Sequence, residues 1–251
     1  MQLRGIENLV IKDKTMITRG MCIKEIIREY ETDEVELIEQ HVRVNEDKNY
    51  RRFIMQNLRG NKTWIFKPRH FKSRRGNNYM IIPVSRGYPQ YKKYGLEVHT
   101  YLYYRIDDSN YYVVSQTDID NTVFPTQYGY TFYNPHFFNR YQERLVQKDI
   151  PRLELITRFF KENYEKSVMK FFNSMPELEW LEEKYPNGYY SYGPEGITLG
   201  TISEKWSGEC ERAVFFANTF ITRDMIKEGQ KEIMESMKEV VEEWKQKEER
   251  I

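Results

Sequence analysis

The sequence predicts an α+β fold: an antiparallel twisted sheet packed by helices, with a helical N-terminal region and a long C-terminal helix. Three observations predict it. Residues 1–60 repeat apolar side chains every three or four positions, the helical period. Residues 63–132 change to short runs rich in aromatic and β-branched residues, separated by turn residues. After a second helical block, two more strand-like runs precede a last helical stretch, so helices and strands are grouped rather than alternating. The expected division is 1–60 as the helical N-terminal region and 61–251 as the α+β core domain, closed by a helix over 223–249.

In the N-terminal region Thr18 precedes an apolar run from Met21 to Ile27, and Val35, Leu37 and Ile38 continue in the same style. Asn45 is expected to cap a helix carrying Tyr50, Phe53, Ile54 and Leu58 at helical spacing. Gly60-Asn61 ends the region.

Strands are expected at 63–66, 79–84, 98–106 and 111–115, with turns at 75–78, 86–89 and 107–110, which is the pattern of an antiparallel meander. A further strand over 123–132 is interrupted at Pro125 and Gly129. The second helical block opens at 136–148. It continues after Pro151 with Leu153, Ile156, Phe159, Phe160, Tyr164, Val168, Phe171 and Phe172. Residues 176–183 read as a short helix and the Tyr/Gly/Pro-rich 185–196 as a loop. Strands at 197–202 and 212–221 lead to Thr222, a good N-cap for the last helix, whose Ile226, Ile233 and Val240 form an apolar stripe.

Composition excludes several classes. Hydrophobic residues make up 39% of the 251-residue chain, and 14 Phe, 20 Tyr and 4 Trp supply enough apolar surface for a core, which argues against bulk disorder. The net charge is +1, so any nucleic-acid site must be a local patch. Cys22 and Cys210 stand far apart outside any CxxC pattern, which argues against a disulfide scaffold and for a reducing compartment. The opening MQLRGIENLVIKDK scatters charge among its apolar residues and predicts no signal peptide. No window approaches 18 apolar residues, so no membrane partner is expected and the expected location is cytoplasmic.

The stretch Asn134–Leu145, NPHFFNRYQERL, carries most of the functional information. Asn134 is a favoured N-cap, and Pro135 suits the first helical position because its missing N–H has no partner there anyway. At about 100° per residue, His136, Arg140 and Arg144 fall within roughly 80° of one another. Glu143 and Asn139 flank His136 on the other side, and Phe137, Phe138, Tyr141 and Leu145 form the apolar face.

In the first turn, the helix dipole and Arg140 both disfavour the imidazolium, so a neutral His136 can take a proton. Arginine forks suit phosphate. A base beside two such forks can drive attack of an RNA 2′-hydroxyl on its own phosphate without a metal. The same residues also suit an ordinary solvent-facing helix side, and spacing alone does not decide between the two.

HFFNRYQER resembles the His-x-x-x-Arg-x-x-x-Arg helix of the barnase, EndoU and RelE group of metal-independent RNase toxin domains. The stretch is also similar to segments of proteins from Bacteroidetes and their phages, a likeness that implies no function. The first resemblance implies His136 as acid or base, Arg140 and Arg144 as phosphate clamps, and Thr219 on the late strand RAVFFANTFIT as an auxiliary donor. The chain departs from that pattern by placing several strands before the helix and a second helix and loop after it.

A second candidate is KPRHFKSRR, in which Lys67, Arg69, Lys72, Arg74 and Arg75 surround His70 between two expected strands. At a hairpin tip it suits either phosphate backbone, with Phe71 as a stacking partner, or plain solvation. Four scattered histidines (His41, His70, His99 and His136) make no zinc pattern, and the acid pair Asp118 and Asp120 has no third ligand. No P-loop, GxGxxG or GxSxG is present, so no metal and no cofactor are expected.

The leading expectation is therefore a metal-independent RNase or RNA-binding domain of phage or mobile-element type. The alternative is a non-enzymatic structural or host-factor-binding protein that meets a protein partner through the C-terminal helix or the 185–196 loop. A third reading is a DNA-binding accessory protein working through 67–75.

Overall fold

The computed structural model describes residues 17–18, 20–107, 110–118, 128–164, 170–172, 176–203 and 212–225. Three helices come first: α1 (Ile23–Thr32), α2 (Glu34–Glu46) and α3 (Lys48–Asn57). Strands β1 (Trp64–Ile65), β2 (Arg69–Lys72) and β3 (Asn78–Ser85) follow, then the short helix α4 (Tyr88–Tyr94). Next come β4 (Glu97–Arg105), β5 (Tyr111–Asp118) and β6 (Tyr128–Tyr133). Helices α5 (Pro135–Tyr141) and α6 (Arg152–Glu162) separate these from β7 (Lys170–Phe171), β8 (Gly188–Tyr192), β9 (Ile197–Ile202) and β10 (Ala213–Ile221).

All ten strands join one sheet in the order β1-β3-β4-β5-β6-β10-β9-β8-β7, with β2 also on β3. The meander expected from the turn residues is β3 to β6, paired antiparallel throughout. A second antiparallel run, β7 to β10, meets the first where β10 lies parallel to β6, with Ala217 opposite Tyr133. A parallel pair needs a crossover, and α5 and α6 lie on it. β10 is buried along its whole length, as its unbroken run AVFFANTFI requires of a central strand.

Side chains alternate between the two faces of the sheet. Tyr79, Leu102, Val114 and Phe132 point to one face and pack with Ile23, Ile26, Ile27, Tyr30 and Leu37 of α1 and α2. Met80, Tyr101, Val113 and Tyr133 point to the other, where Phe137, Phe138, Tyr141, Phe159 and Phe160 of α5 and α6 cover them. Those five aromatic side chains are at most 1% exposed, and each contributes on the order of 1.5–3 kcal/mol by burial. Among the described residues no helix is long and apolar enough to cross a membrane.

Several local expectations need correction. Within the apolar run that begins at Met21 the helix itself starts at Ile23, where the Glu25 carboxylate accepts from the Cys22 backbone N–H at 2.8 Å. Asn45 does not cap α3. It sits inside α2 and accepts from Leu96 N–H at 2.6 Å, while Asp47 caps α3 by accepting from Asn49 N–H. Gly95, at φ 79°, precedes that Leu96 contact, and a side chain there would press on the Asn45 carbonyl.

The expected loop 185–196 contains β8, whose tyrosines pair with β9. Helix α6 stops at Glu162, and Lys170–Phe171 forms β7. Residues 176–183 make turns with one 3₁₀ turn at Glu179–Leu181. The expected strand 123–132 is described only as β6, 128–133. The C-terminal helix 223–249 lies almost wholly outside the described residues. Met225 N–H donating to the Thr222 carbonyl at 3.2 Å is the last turn described.

Candidate functional site

The site begins where β6 ends. Asn134, fully buried, accepts from Phe137 N–H at 2.8 Å, and Pro135 follows, so α5 starts as the cap residues dictate. Its apolar side, Phe137, Phe138 and Tyr141, is wholly buried. His136 and Arg140 are half-buried on the other side. Arg140 Nε donates to His136 Nε2 at 3.4 Å, and Arg140 Nη1 donates to Glu143 Oε2 at 3.0 Å. The Arg140 side chain is 24% exposed, and the two Nη2 protons of its fork lie outside both bonds.

The helix does not continue as one α-helical wheel. After Tyr141 the chain opens into a π-helical turn, Gln142–Val146, closed by Gln147 N–H donating to the Gln142 carbonyl at 2.8 Å with Gln147 left-handed at φ 51°. The wider i→i+5 turn redirects whatever follows it. Arg144 therefore turns to β10, where its Nη1 donates to Thr219 Oγ1 at 3.1 Å and to the Phe220 carbonyl at 2.7 Å. Thr219 is wholly buried and Arg144 half-buried. The structure thus joins His136 to Arg140 and Arg144 to Thr219, as two adjoining pairs rather than one open face.

The basic segment is elsewhere. Arg69, His70 and Lys72 lie on β2, an edge strand the sequence concealed, while Arg74 and Arg75 form the turn to β3. Four strand spacings separate β2 from β6, roughly 19 Å across the sheet. Acidic residues of the N-terminal helices meet these cations. Arg69 pairs with Asp47 at 2.6 Å and stacks over Tyr50. Arg75 grips Glu29 through two bonds of 2.6 and 2.9 Å, and Arg74 lies 3.6 Å from Glu39. The Arg75 bonds hold the Glu29 carboxyl below its usual range. Burial holds the His70 imidazole below its usual value. Lys67 is exposed just before the strand.

Two arrangements had no signal in the sequence. Glu195, in the turn between β8 and β9, accepts from the buried Tyr141 hydroxyl at 2.5 Å and from the Asn163 amide at 2.9 Å, with Arg158 at 3.4 Å. A side chain at Gly193 would strike the Asn163 carbonyl oxygen, so this turn needs glycine there. Burial, and then the bond to Glu195, raise the Tyr141 hydroxyl well above its usual range.

On the opposite face of the sheet, a cavity of about 270 Å³ is lined by residues of α1 and α2, β4, β5 and β6, and includes none of the candidate site residues. Asp118 ends β5, and its sequence partner Asp120 lies outside the described residues. Among the described residues no group of three or more His, Cys, Asp or Glu side chains is placed to hold a metal ion. Comparison of the chain with protein-family models, with curated proteins and with solved structures gave no match.

Proposed function

We propose that the chain is a metal-independent endoribonuclease of phage or mobile-element type, with its reacting groups at the start of α5 and in the turn after it. One observation carries this reading: the Arg140 guanidinium bridges an imidazole and a carboxylate, His136 and Glu143, with part of its fork still facing outward. A scissile phosphate held by the Nη2 donors would sit beside both groups. In the substrate complex the His136 Nε2 exchanges its 3.4 Å contact with Arg140 Nε for the 2′-hydroxyl, and accepts that proton as O2′ bonds to phosphorus. The bond from phosphorus to O5′ breaks, the departing oxygen takes a proton from solvent, and a 2′,3′-cyclic phosphate remains. Arg140 offsets the charge that builds on the phosphoryl oxygens. Glu143 keeps the fork in plane. Arg144 and Thr219 are positioning residues in this scheme, since their polar groups bond to each other. The test is incubation of the purified chain with RNA in EDTA, with appearance of a cyclic-phosphate end as the readout and a 2′-deoxy oligonucleotide as the substrate that stays whole.

A second reading, a non-enzymatic protein that assembles with itself, is favoured by one observation. Val35, Ile38 and Val42 are 71%, 55% and 48% exposed at helical spacing along α2, an apolar stripe facing water. Sedimentation of the wild-type chain and of Ile38→Asp tests it. Self-association lost in the variant supports the reading, and a monomer in both removes it.

A further inference from the structure

The cavity between the α1–α2 pair and strands β4, β5 and β6 has a chemistry unlike that of the α5 site. Among the described residues its walls include Glu31 and Glu34 and no lysine or arginine. Arg212 reaches Glu31 at 3.5 Å from outside the lining, so Glu34 is the carboxylate without that neighbour. His41, also in the wall, does not offset the acids. Burial, and next the field of His99, hold its imidazole below the usual value, and its Nε2 lies 2.7 Å from Thr100 Oγ1. The wall is therefore negative.

The second observation is Tyr30. It lines the cavity and is only 4% exposed, with its ring edge-on to Tyr79 and Tyr130 at 5.8 and 5.4 Å. Its hydroxyl bonds to no other described residue and is not among the sealed, unbonded polar atoms, so it is open to the cavity that Tyr30 lines. Burial, and then Glu34, push that hydroxyl above its usual range, so it stays protonated. A polar group held at this depth beside a carboxylate is a ready hydrogen-bond partner for something in the cavity. Leu37 and Val98 add apolar wall next to it.

We propose that this cavity binds a small organic cation, a protonated amine on a short apolar body. The ammonium donates to the Glu34 carboxylate and to the Tyr30 hydroxyl oxygen, both of which accept from such a group. The apolar body lies against Leu37 and Val98. The volume, about 270 Å³, falls just below the range of about 300–1,000 Å³ found for drug-sized ligands, so the amine is small. This site is on the sheet face away from His136 and stands whether or not the chain cleaves RNA.

The test is calorimetric titration of the whole chain with phenethylamine and cadaverine, and with phenylacetate, which has the same body with the opposite charge. Saturable binding of an amine, none of phenylacetate, and weakening of about tenfold in Glu34→Gln with a smaller loss in Tyr30→Phe are expected. Glu34 is exposed, so its variant keeps the fold, which the amide NMR spectrum checks. No saturable heat with either amine, equal binding of phenylacetate, or binding unchanged in both variants overturns the proposal.

Discussion

Arg144 and Thr219, 75 residues apart, are joined by a 3.1 Å hydrogen bond, and the same guanidinium nitrogen holds the Phe220 carbonyl at 2.7 Å. The reason lies in the topology. β6 pairs with β10 only as far as Tyr133 opposite Ala217, and then the chain leaves the sheet as α5. β10 runs on to Ile221, with a register shift between Ala217 and Thr219. Arg144 supplies a donor to this stretch beyond the end of β6, and the π turn is what aims it there.

Removing that donor leaves Thr219 and the Phe220 carbonyl short of a partner in a buried place. Arg144→Ala is expected to lower unfolding free energy by about 1–3 kcal/mol, with Thr219→Val at the lower end. Urea denaturation measures both. A loss of phosphate binding with unchanged stability would instead place Arg144 at the substrate.

How much of this was legible differs by element. The β3–β6 meander was readable because period-two aromatic runs alternate with Gly-Asn and Asp-Ser-Asn turns. The start of α5 was readable because Asn134 and Pro135 act locally. The shared face of His136, Arg140 and Arg144 assumed one constant helical period. The π turn at Gln142 breaks that period, and no residue type in QERLV announces it. The parallel β6–β10 pair and Glu195's contact with Tyr141 depend on residues far apart in sequence, which a local pattern cannot show. The density of charge at 67–75 looked like a nucleic-acid grip because its acidic partners lie 22 to 46 residues earlier.

Glu195 closes the β8–β9 turn onto α5 and α6. Its loss strands the Tyr141 hydroxyl and removes one of the two acceptors of the Asn163 amide, which keeps the Phe159 carbonyl; both residues are at most 1% exposed. Glu195→Ala is expected to cost about 1–3 kcal/mol by urea unfolding, and Glu195→Gln less, because an amide oxygen still accepts from both.

Stability should fall in two steps as the solution is acidified. Burial, and next His99, keep the folded His41 pKa below its ordinary 6.5, so between that lowered value and 6.5 the unfolded chain binds a proton the folded chain does not. Stability therefore rises with pH through that window and falls as pH drops through it, with no further change from His41 below it. Glu97 is pulled down to about 2, mainly by His99 at 2.9 Å and also by Arg86 at 2.9 Å. Its contribution is complete above the ordinary 4.5 and is lost as pH falls toward 2. Urea midpoints against pH should show both steps, with His41→Asn removing the upper and Glu97→Gln the lower.

Two arginines of the basic segment, Arg69 on β2 and Arg74 in the turn after it, are paired with acids of the N-terminal helices. Asp47→Asn with Glu39→Gln releases Arg69 and Arg74 while keeping a good α3 cap at position 47. Single-stranded RNA binding by that variant should gain a salt slope steeper by about 1.4, two phosphates at about 0.7 each. An unchanged slope means these arginines do not meet RNA even when released.

The most direct measurement compares RNA cleavage in EDTA by the wild-type chain, His136→Ala and Arg140→Ala, each shown folded by circular dichroism. Cleavage by the wild type leaving 2′,3′-cyclic phosphate, lowered about 10²–10⁴-fold in His136→Ala and strongly in Arg140→Ala, is the predicted result. Equal cleavage by all three, or none by the wild type, would contradict it.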